Sequence, residues 1–195
     1  MTIKKIFYLI LSTLTLWGCG QSGASDNKNQ QEQKQSTKDT VPETKVNQPQ
    51  SSIHSADLFP LSDAEKILGE PAHLSDSSYT IKKDTLEYKL AYTANSKDQK
   101  TGKTGVIYFM IEQYSEISSA KNAYTFIKEA NEKHEGVKVL HDMGDEAYFH
   151  SDGKNFYFIL VRKGDKMFRM KVNKTTSTTS LEEFNLVARN ITAAL

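Results

Sequence analysis

The feature that most constrains this chain is an abrupt change of composition near residue 55. Residues 20–55 are mostly Gln, Ser, Lys, Asn, Thr and Asp, and Val41, Val46 and Ile53 are their only large aliphatic side chains. Such a segment cannot bury enough apolar surface to offset the conformational entropy lost on folding. We therefore predict a disordered linker over residues 19–55 and a globular domain over residues 56–195.

The second part of the chain alternates helical and strand-like periods. Apolar side chains recur at helical spacing after Ser62, between residues 115 and 136, and after Ser180, and both serines are followed three positions later by Glu, as in a capping box. Strand-like segments lie at residues 79–81, 86–92, 106–111, 147–150, 156–162 and 166–172. Short Gly-containing turns join the last three segments and make them antiparallel. The order predicts an α+β domain with a curved antiparallel sheet of about six strands and helices packed mainly on one face.

Residues 1–18 have the pattern of a secretory signal. Lys4 and Lys5 precede an apolar stretch of about eleven residues, whereas a membrane-spanning helix needs about 20, so a cleaved signal is the better interpretation. The stretch ends in Leu-Trp-Gly-Cys at residues 16–19. This string resembles the lipobox of bacterial lipoproteins, with Trp17 standing where that family favours a small residue.

The lipobox resemblance implies a lipid anchor. In bacterial lipoproteins the signal is cut between the residues that correspond here to Gly18 and Cys19, the cysteine sulfur carries diacylglycerol, and its amine is often acylated. Two acyl chains at one site give stable anchoring to a bilayer. Cys19 is also the only cysteine of the chain, so an internal disulfide is excluded. The acyl chains are the only non-protein group that we predict.

The residue after the cysteine bears on the location in the cell envelope. In many Gram-negative bacteria an Asp at this position retains a lipoprotein at the inner membrane, and this chain has Gly20 there. The resemblance therefore implies the outer membrane, facing the periplasm, if the host is Gram-negative. Otherwise it implies the outer face of the plasma membrane.

Two short strings in the globular part carry a second, looser resemblance. Residues 143–148 read Met-Gly-Asp-Glu-Ala-Tyr, and residues 61–69 read Leu-Ser-Asp-Ala-Glu-Lys-Ile-Leu-Gly. Both resemble strings in families of small exported lipoproteins of unknown function whose fold is a PsbP-like sandwich. That likeness implies a fold and a location in the cell envelope but no activity. We interpret residues 143–148 as structural, since Gly suits a left-handed turn and Asp accepts backbone N–H groups.

Neither the charge balance nor the histidines point to a familiar chemistry. The chain has 25 basic and 24 acidic side chains, so it lacks the excess of positive charge that is typical of nucleic-acid-binding proteins. No His lies in an H-E-x-x-H or C-x-x-C context, and we predict neither a structural metal nor a catalytic residue. The densest group of polar candidates is His141, Asp142, Asp145 and His150.

Aromatic and basic side chains crowd the last strands. Adjacent residues of a strand point to opposite faces, so one aromatic row forms core while the other is covered by a helix or exposed. An exposed row would suit a sugar, peptide or lipid, and nearby cations would suit an anionic partner such as phospholipid headgroups. The candidate binding surface consists of Tyr148, Tyr157, Lys166, Arg169 and Lys171.

Together these features predict an envelope lipoprotein whose small domain is a non-catalytic binding or interaction module, with the bilayer and an envelope protein as partners. Two alternatives stay open. A carrier of a hydrophobic or small envelope ligand would need a cavity between the sheet and the helices. A hydrolase would need a cleft with convergent titratable groups, for which His141 and His150 are the candidates.

Overall fold

A computed structural model describes residues 55–195, with side chains from Asp57 onward. The predicted signal at residues 1–18, the cleavage site at Gly18, the lipid-bearing Cys19 and almost all of the predicted linker lie outside the described residues. Within the described part, no helix has the length and apolar character needed to cross a membrane.

Four helices and seven strands make up the described part of the chain. In chain order they are α1 Ser55–Leu58, α2 Leu61–Leu68, β1 Ala72–Lys82, β2 Thr85–Ala94, β3 Val106–Tyr114, α3 Ile117–Asn131, β4 Val137–Leu140, β5 Glu146–His150, β6 Phe156–Lys163, β7 Lys166–Asn173 and α4 Leu181–Ala194.

The strands form one antiparallel sheet in the order β1-β2-β3-β7-β6-β5-β4. Two meanders, β1 to β3 and β4 to β7, are joined by the pairing of β3 with β7. The prediction of an α+β domain with an antiparallel sheet is confirmed. The predicted number of about six strands is one too low, because the four-residue edge strand β4 is too short to show a clear period.

The helices cover both faces of the sheet. Helices α2 and α4 pack on the face formed by the core rows of β2, β3, β7 and β6, which we call the α2/α4 face. Helix α3 packs on the other face, the α3 face, where Tyr124 contacts Tyr148, Leu160 and Met167. The prediction of helices mainly on one face therefore fails for α3, which connects β3 to the distant edge strand β4 and crosses the sheet on its opposite side.

The two predicted capping boxes have different outcomes. Ser180 caps α4 by accepting the N–H of Glu183 at 3.1 Å, as predicted. Helix α2 instead begins at Leu61, with Pro60 as its N-cap and no side-chain cap. Its Glu65 carboxylate accepts the backbone N–H of Ala72 at 3.1 Å and so ties α2 to the start of β1.

The fully covered strand is β6 and not β3. Residues Ile159, Leu160 and Val161 are all fully buried, because α4 lies over one side of β6 and α3 over the other. In β3 the α3 face is uncovered at Tyr108, which is 45% exposed. Helix α3 leaves this part of the sheet open.

Candidate functional site

The β1–β2 hairpin extends beyond the helices of the α2/α4 face. Ala72, where the Glu65 contact holds α2 against the sheet, is the only buried residue of β1. From His73 onward the strand lies at the sheet edge with its side chains exposed or half-buried. Leu90 and Tyr92, nearer the base of the hairpin, are buried, whereas apolar side chains of β1 nearer the tip are exposed, although their strand pattern resembles that of the core.

Four apolar side chains form a continuous group on the α2/α4 face near the tip of this hairpin. Tyr79 pairs with Tyr88 and Ile81 pairs with Leu86 across the two strands, so all four point to one side. Tyr79 is 58% exposed and Ile81 is 63% exposed. The rings of Tyr79 and Tyr88 lie 6.0 Å apart between centroids. We call these four residues the hairpin patch.

The hairpin is amphipathic between its two faces. On the α2/α4 face the described strands β1 and β2 present only apolar residues and Ser77. On the α3 face lies a charged cluster, in which the buried Glu87 carboxylate binds Lys89 at 2.7 Å and Lys82 at 3.1 Å. The hydrogen bond from Lys89, together with that from Lys82, lowers the pKa of Glu87. Covering the hairpin patch would therefore desolvate no charged side chain of β1 or β2 on that face.

The tip of the hairpin is a two-residue loop, Lys83 and Asp84. Lys83 takes a left-handed conformation, with φ of 49°. The Asp84 carbonyl accepts the backbone N–H of Ser115 at 3.0 Å, which connects the tip to the end of β3. This hydrogen bond ties the tip to the end of β3, and Lys83 follows Ile81 by two residues in the chain.

The β2–β3 loop, which follows the base of the hairpin, is attached to the loop before α4. The Asp98 carboxylate accepts the N–H of Ser177 at 2.6 Å and its hydroxyl at 2.5 Å. Its other oxygen accepts the N–H groups of Lys100 and Thr101. These hydrogen bonds, the one from the Ser177 hydroxyl foremost, hold the pKa of Asp98 well below its ordinary value.

The predicted binding surface does not come together as one surface. Arg169 and Lys171 share the α3 face with Tyr148, whereas Tyr157 and Lys166 point to the α2/α4 face. Tyr157 is half-buried against Phe184 of α4. The sequence shows that neighbouring residues alternate in direction, but it does not show which of the two rows a helix covers.

Tyr148 is buried rather than exposed, which corrects its place in the predicted surface. It is 1% exposed and lies between the sheet and Tyr124 of α3, with ring centroids 6.3 Å apart. Burial raises the pKa of Tyr148 to about 12, and also raises the pKa values of Tyr114 and Tyr124. Among the described residues its hydroxyl has no hydrogen-bond partner.

The basic members of the predicted surface have partners of their own. Arg169 forms an ion pair with Glu112 at 2.6 Å, and Lys166 pairs with Asp165 at 3.0 Å. Lys171 lies over the Phe156 ring, with its Nζ 5.8 Å from the centroid. Arg169 and Lys166 are thus engaged within the domain.

The predicted histidine cluster is not assembled. His150 pairs with Val137 at one end of the β4–β5 ladder, and His141 follows Leu140 at the other end. His150 instead stacks edge-on against Phe156 and His134, at centroid distances of 4.9 and 5.8 Å. In residues 55–195, no three His, Cys, Asp or Glu side chains form a group suited to a metal ion.

A cleft of about 380 Å³ lies beside the end of α4, and Asp142, Asp145, Lys163 and Arg189 are among its lining residues. Its charged groups bind one another or the backbone. Asp142 pairs with Arg189 at 2.6 Å, and the Lys163 ammonium donates to the Thr192 carbonyl at 2.9 Å.

The first three residues of the string at residues 143–148 line this cleft, and the string has a structural role. Gly144 has φ of 64°, and a Cβ there would lie 2.5 Å from the Arg162 carbonyl oxygen. The buried Arg162 guanidinium binds Asp145 at 2.8 Å and Glu146 at 2.6 Å. Asp145 also accepts the Gly164 N–H at 2.8 Å, and this bond, followed by the attraction of Arg162, lowers the pKa of Asp145.

Sequence reasoning missed the hairpin patch, although its residues were recognised as strand. The alternation of Tyr79 with Ile81 and of Leu86 with Tyr88 predicts two strands with one apolar face. It gives no measure of how far α2 and α4 extend over that face. A usable signal was the short spacing between residues 81 and 86, which makes them a hairpin pair and brings the four side chains together.

Comparison of the chain with protein-family models gave no match, and a search of curated proteins also gave none.

Proposed function

We propose that this protein is a cell-envelope lipoprotein, anchored through lipid on Cys19, whose α+β domain is a non-catalytic binding module. The anchor is supported by the basic and apolar leader that ends in Leu-Trp-Gly-Cys at residues 16–19. The finer fold assignment, a PsbP-like sandwich, belongs to the same proposal. It is supported by the two short strings at residues 61–69 and 143–148.

The observation that carries the binding role is the hairpin patch. Large apolar side chains that are more than half exposed, as Tyr79 and Ile81 are, form a contiguous group on a hydrogen-bonded sheet. Exposed apolar groups of this kind mark interaction sites more often than isolated exposed residues do. The charges around the cleft at α4 engage one another or the backbone, so we propose binding rather than catalysis.

Metabolic labelling with a clickable fatty acid tests the anchor. Wild-type protein should carry the label and stay with the membrane after a high-salt wash, because two acyl chains hold a protein at a bilayer stably. Cys19→Ala should lose the label completely. Ser22→Ala is the matched control, since it changes a nearby polar residue and keeps the lipobox. Label retained in Cys19→Ala would overturn the proposal.

A second variant sharpens the same test. Trp17 occupies a position where bacterial lipoproteins favour a small residue, so Trp17→Ala should be processed at least as fast as the wild type. Pulse-chase labelling followed by gel separation measures conversion of the precursor. Slower processing of Trp17→Ala would count against a lipobox at residues 16–19.

A further inference from the structure

We infer that the hairpin patch docks on the lipid bilayer, so that the domain lies against the membrane in a defined orientation. This inference rests on the proposed function, because the covalent anchor keeps the domain close to the bilayer. It goes further by naming the surface and the partner. The site consists of Tyr79, Ile81, Leu86 and Tyr88, with Lys83 at the hairpin tip.

The chemistry of the patch suits the interface between lipid and water. Tyrosine concentrates at this interface, since its ring is apolar and its hydroxyl remains hydrated. A lysine at the rim can place its stem along apolar surface and its ammonium among headgroup phosphates. Tyr79 and Tyr88 lie side by side next to Ile81, and Lys83 is two residues further along the chain.

The separation of polar and apolar faces also favours a bilayer. Glu87, Lys82 and Lys89 pair with one another on the α3 face of the hairpin, away from the patch. Insertion of the patch would therefore leave these ion pairs in water. It would also avoid the cost of burying a charged side chain of β1 or β2 without a partner.

The described part of the chain begins on the face of the sheet that carries the patch. Leu58 of α1 packs on the core of the α2/α4 face, and α1 lies against β2. The next residue, Phe59, contacts Tyr92 of β2, whose hydroxyl donates to the Phe59 carbonyl at 3.0 Å. Helix α1, with which the described part of the chain begins, thus lies on the same face as the patch.

The length of that segment permits docking. About 35 residues separate Cys19 from α1 in the sequence, and the composition of this segment predicts a flexible linker. A flexible chain of that length has a mean end-to-end distance of roughly 30–35 Å. A domain of about 140 residues has a radius of gyration of about 14 Å. A tether of this reach turns docking into an intramolecular step, in which a weak surface contact becomes highly populated.

Tryptophan fluorescence provides a direct test. Trp17 is the only tryptophan and belongs to the predicted signal, so the mature chain should have none. The lipidated full chain carrying Tyr79→Trp is placed in vesicles of phosphatidylethanolamine and phosphatidylglycerol that include lipids with brominated acyl chains. The new tryptophan should be quenched by the bromine and should emit at shorter wavelength than in detergent-free buffer.

Tyr108→Trp is the matched control, because Tyr108 is 45% exposed on the opposite face of the same sheet. Its tryptophan should not be quenched. The parent chain serves as the blank for any uncleaved Trp17. Adding Ile81→Glu to Tyr79→Trp should reduce quenching roughly tenfold, because a carboxylate would enter the apolar layer. A circular-dichroism spectrum of each variant verifies folding.

Quenching and fatty-acid labelling can fail separately. With label on Cys19, an unquenched tryptophan at position 79 overturns docking and leaves the lipoprotein proposal standing. Equal quenching at positions 79 and 108 also overturns it, since the orientation would then be random. Without label on Cys19, the lipoprotein proposal fails. Quenching at position 79 by added vesicles would still support docking in that case, and no quenching would overturn it.

Discussion

Strand β6 and the tip of the β1–β2 hairpin belong to one sheet and both carry large apolar side chains, yet their environments differ. In β6 the three consecutive residues Ile159, Leu160 and Val161 are fully buried, because helices lie on both sides. In the β1–β2 hairpin the apolar row of β1 is buried only at Ala72, near α2, and it ends in the exposed Tyr79 and Ile81. Burial in this domain therefore depends on the reach of the helices more than on strand composition. We therefore expect apolar residues outside that reach to contribute little to stability, and the proposed function assigns them a binding role.

The largest expected difference between these regions is in stability. Phe168→Ala removes a fully buried ring beneath the helices and should lower the free energy of unfolding by about 3–5 kcal/mol. Tyr79→Ala removes an exposed ring and should cost less than about 1 kcal/mol. Urea unfolding of the purified protein measures both values. Losses of similar size would show that the hairpin patch is part of the folding core.

The same contrast should appear at two glycines that both have positive φ. Gly144→Ala should destabilise the protein by roughly 2–3 kcal/mol, because left-handed strain adds to a contact with the Arg162 carbonyl. Gly153→Ala has open space around its Cβ, so it should cost only about 1 kcal/mol of left-handed strain. Thermal unfolding of the two variants compares them, and equal costs would contradict the close packing at Gly144.

Acid should weaken the hydrogen bonds of Asp98, which attach the β2–β3 loop to the loop before α4. The folded-state pKa of Asp98 lies below its ordinary value, because Ser177 and two further backbone N–H groups donate to the carboxylate. Its contribution to stability is therefore complete above the unfolded-state pKa and is lost as pH falls through the folded-state pKa. Below about pH 5 the melting temperature should drop, and Asp98→Asn should make that drop shallower.

Melting curves recorded at several acidic pH values provide the measurement. Asp152→Asn is a useful comparison, because Asp152 also has a lowered pKa, due first to the Asn155 N–H, but belongs to an exposed turn between β5 and β6. Unchanged pH dependence in Asp98→Asn would show that the attachment contributes nothing to acid sensitivity.

The smallest expected effect concerns the hairpin tip. Lys83→Gly removes left-handed strain of about 1 kcal/mol but increases the freedom of the unfolded chain, so the net gain should be a few tenths of a kcal/mol. Lys82→Gly should instead destabilise the protein, since it weakens the strand and deletes the ion pair with Glu87. Chemical denaturation measures the free energy of unfolding of both variants and shows which substitution stabilises the protein and which destabilises it. A loss of stability in Lys83→Gly would mean that Lys83 makes contacts beyond its backbone conformation.

The local sequence pattern predicts the helices and strands better than it predicts which of them pack against one another. The alternation of Leu86, Tyr88, Leu90 and Tyr92 predicts β2, and Ser180 correctly predicts the start of α4. The short strand β4 was missed because four residues hardly define a period. Ser62 matches a capping box, yet the N-cap of α2 is Pro60, two residues earlier, and Glu65 accepts the Ala72 N–H instead of closing the box.

The candidate site was predicted less well than the fold. Tyr148, Arg169 and Lys171 do share a face, as their odd-even spacing and the pairing of β5, β6 and β7 require. Helix α3 buries Tyr148, however, and Tyr157 and Lys166 face the other way. The hairpin patch was overlooked because exposure depends on helices that are distant in sequence.

The amino-acid sequence by itself determined six of the seven strands, the turns between the last three and the apolar faces of α2, α3 and α4, because these depend on the spacing of neighbouring residues. Only the tertiary structure decided which apolar rows are covered. That outcome depends on the pairing of β3 with β7 and on the side of the sheet that α3 crosses. Both are contacts between distant residues, and their energies are summed over the whole domain rather than encoded in any short segment.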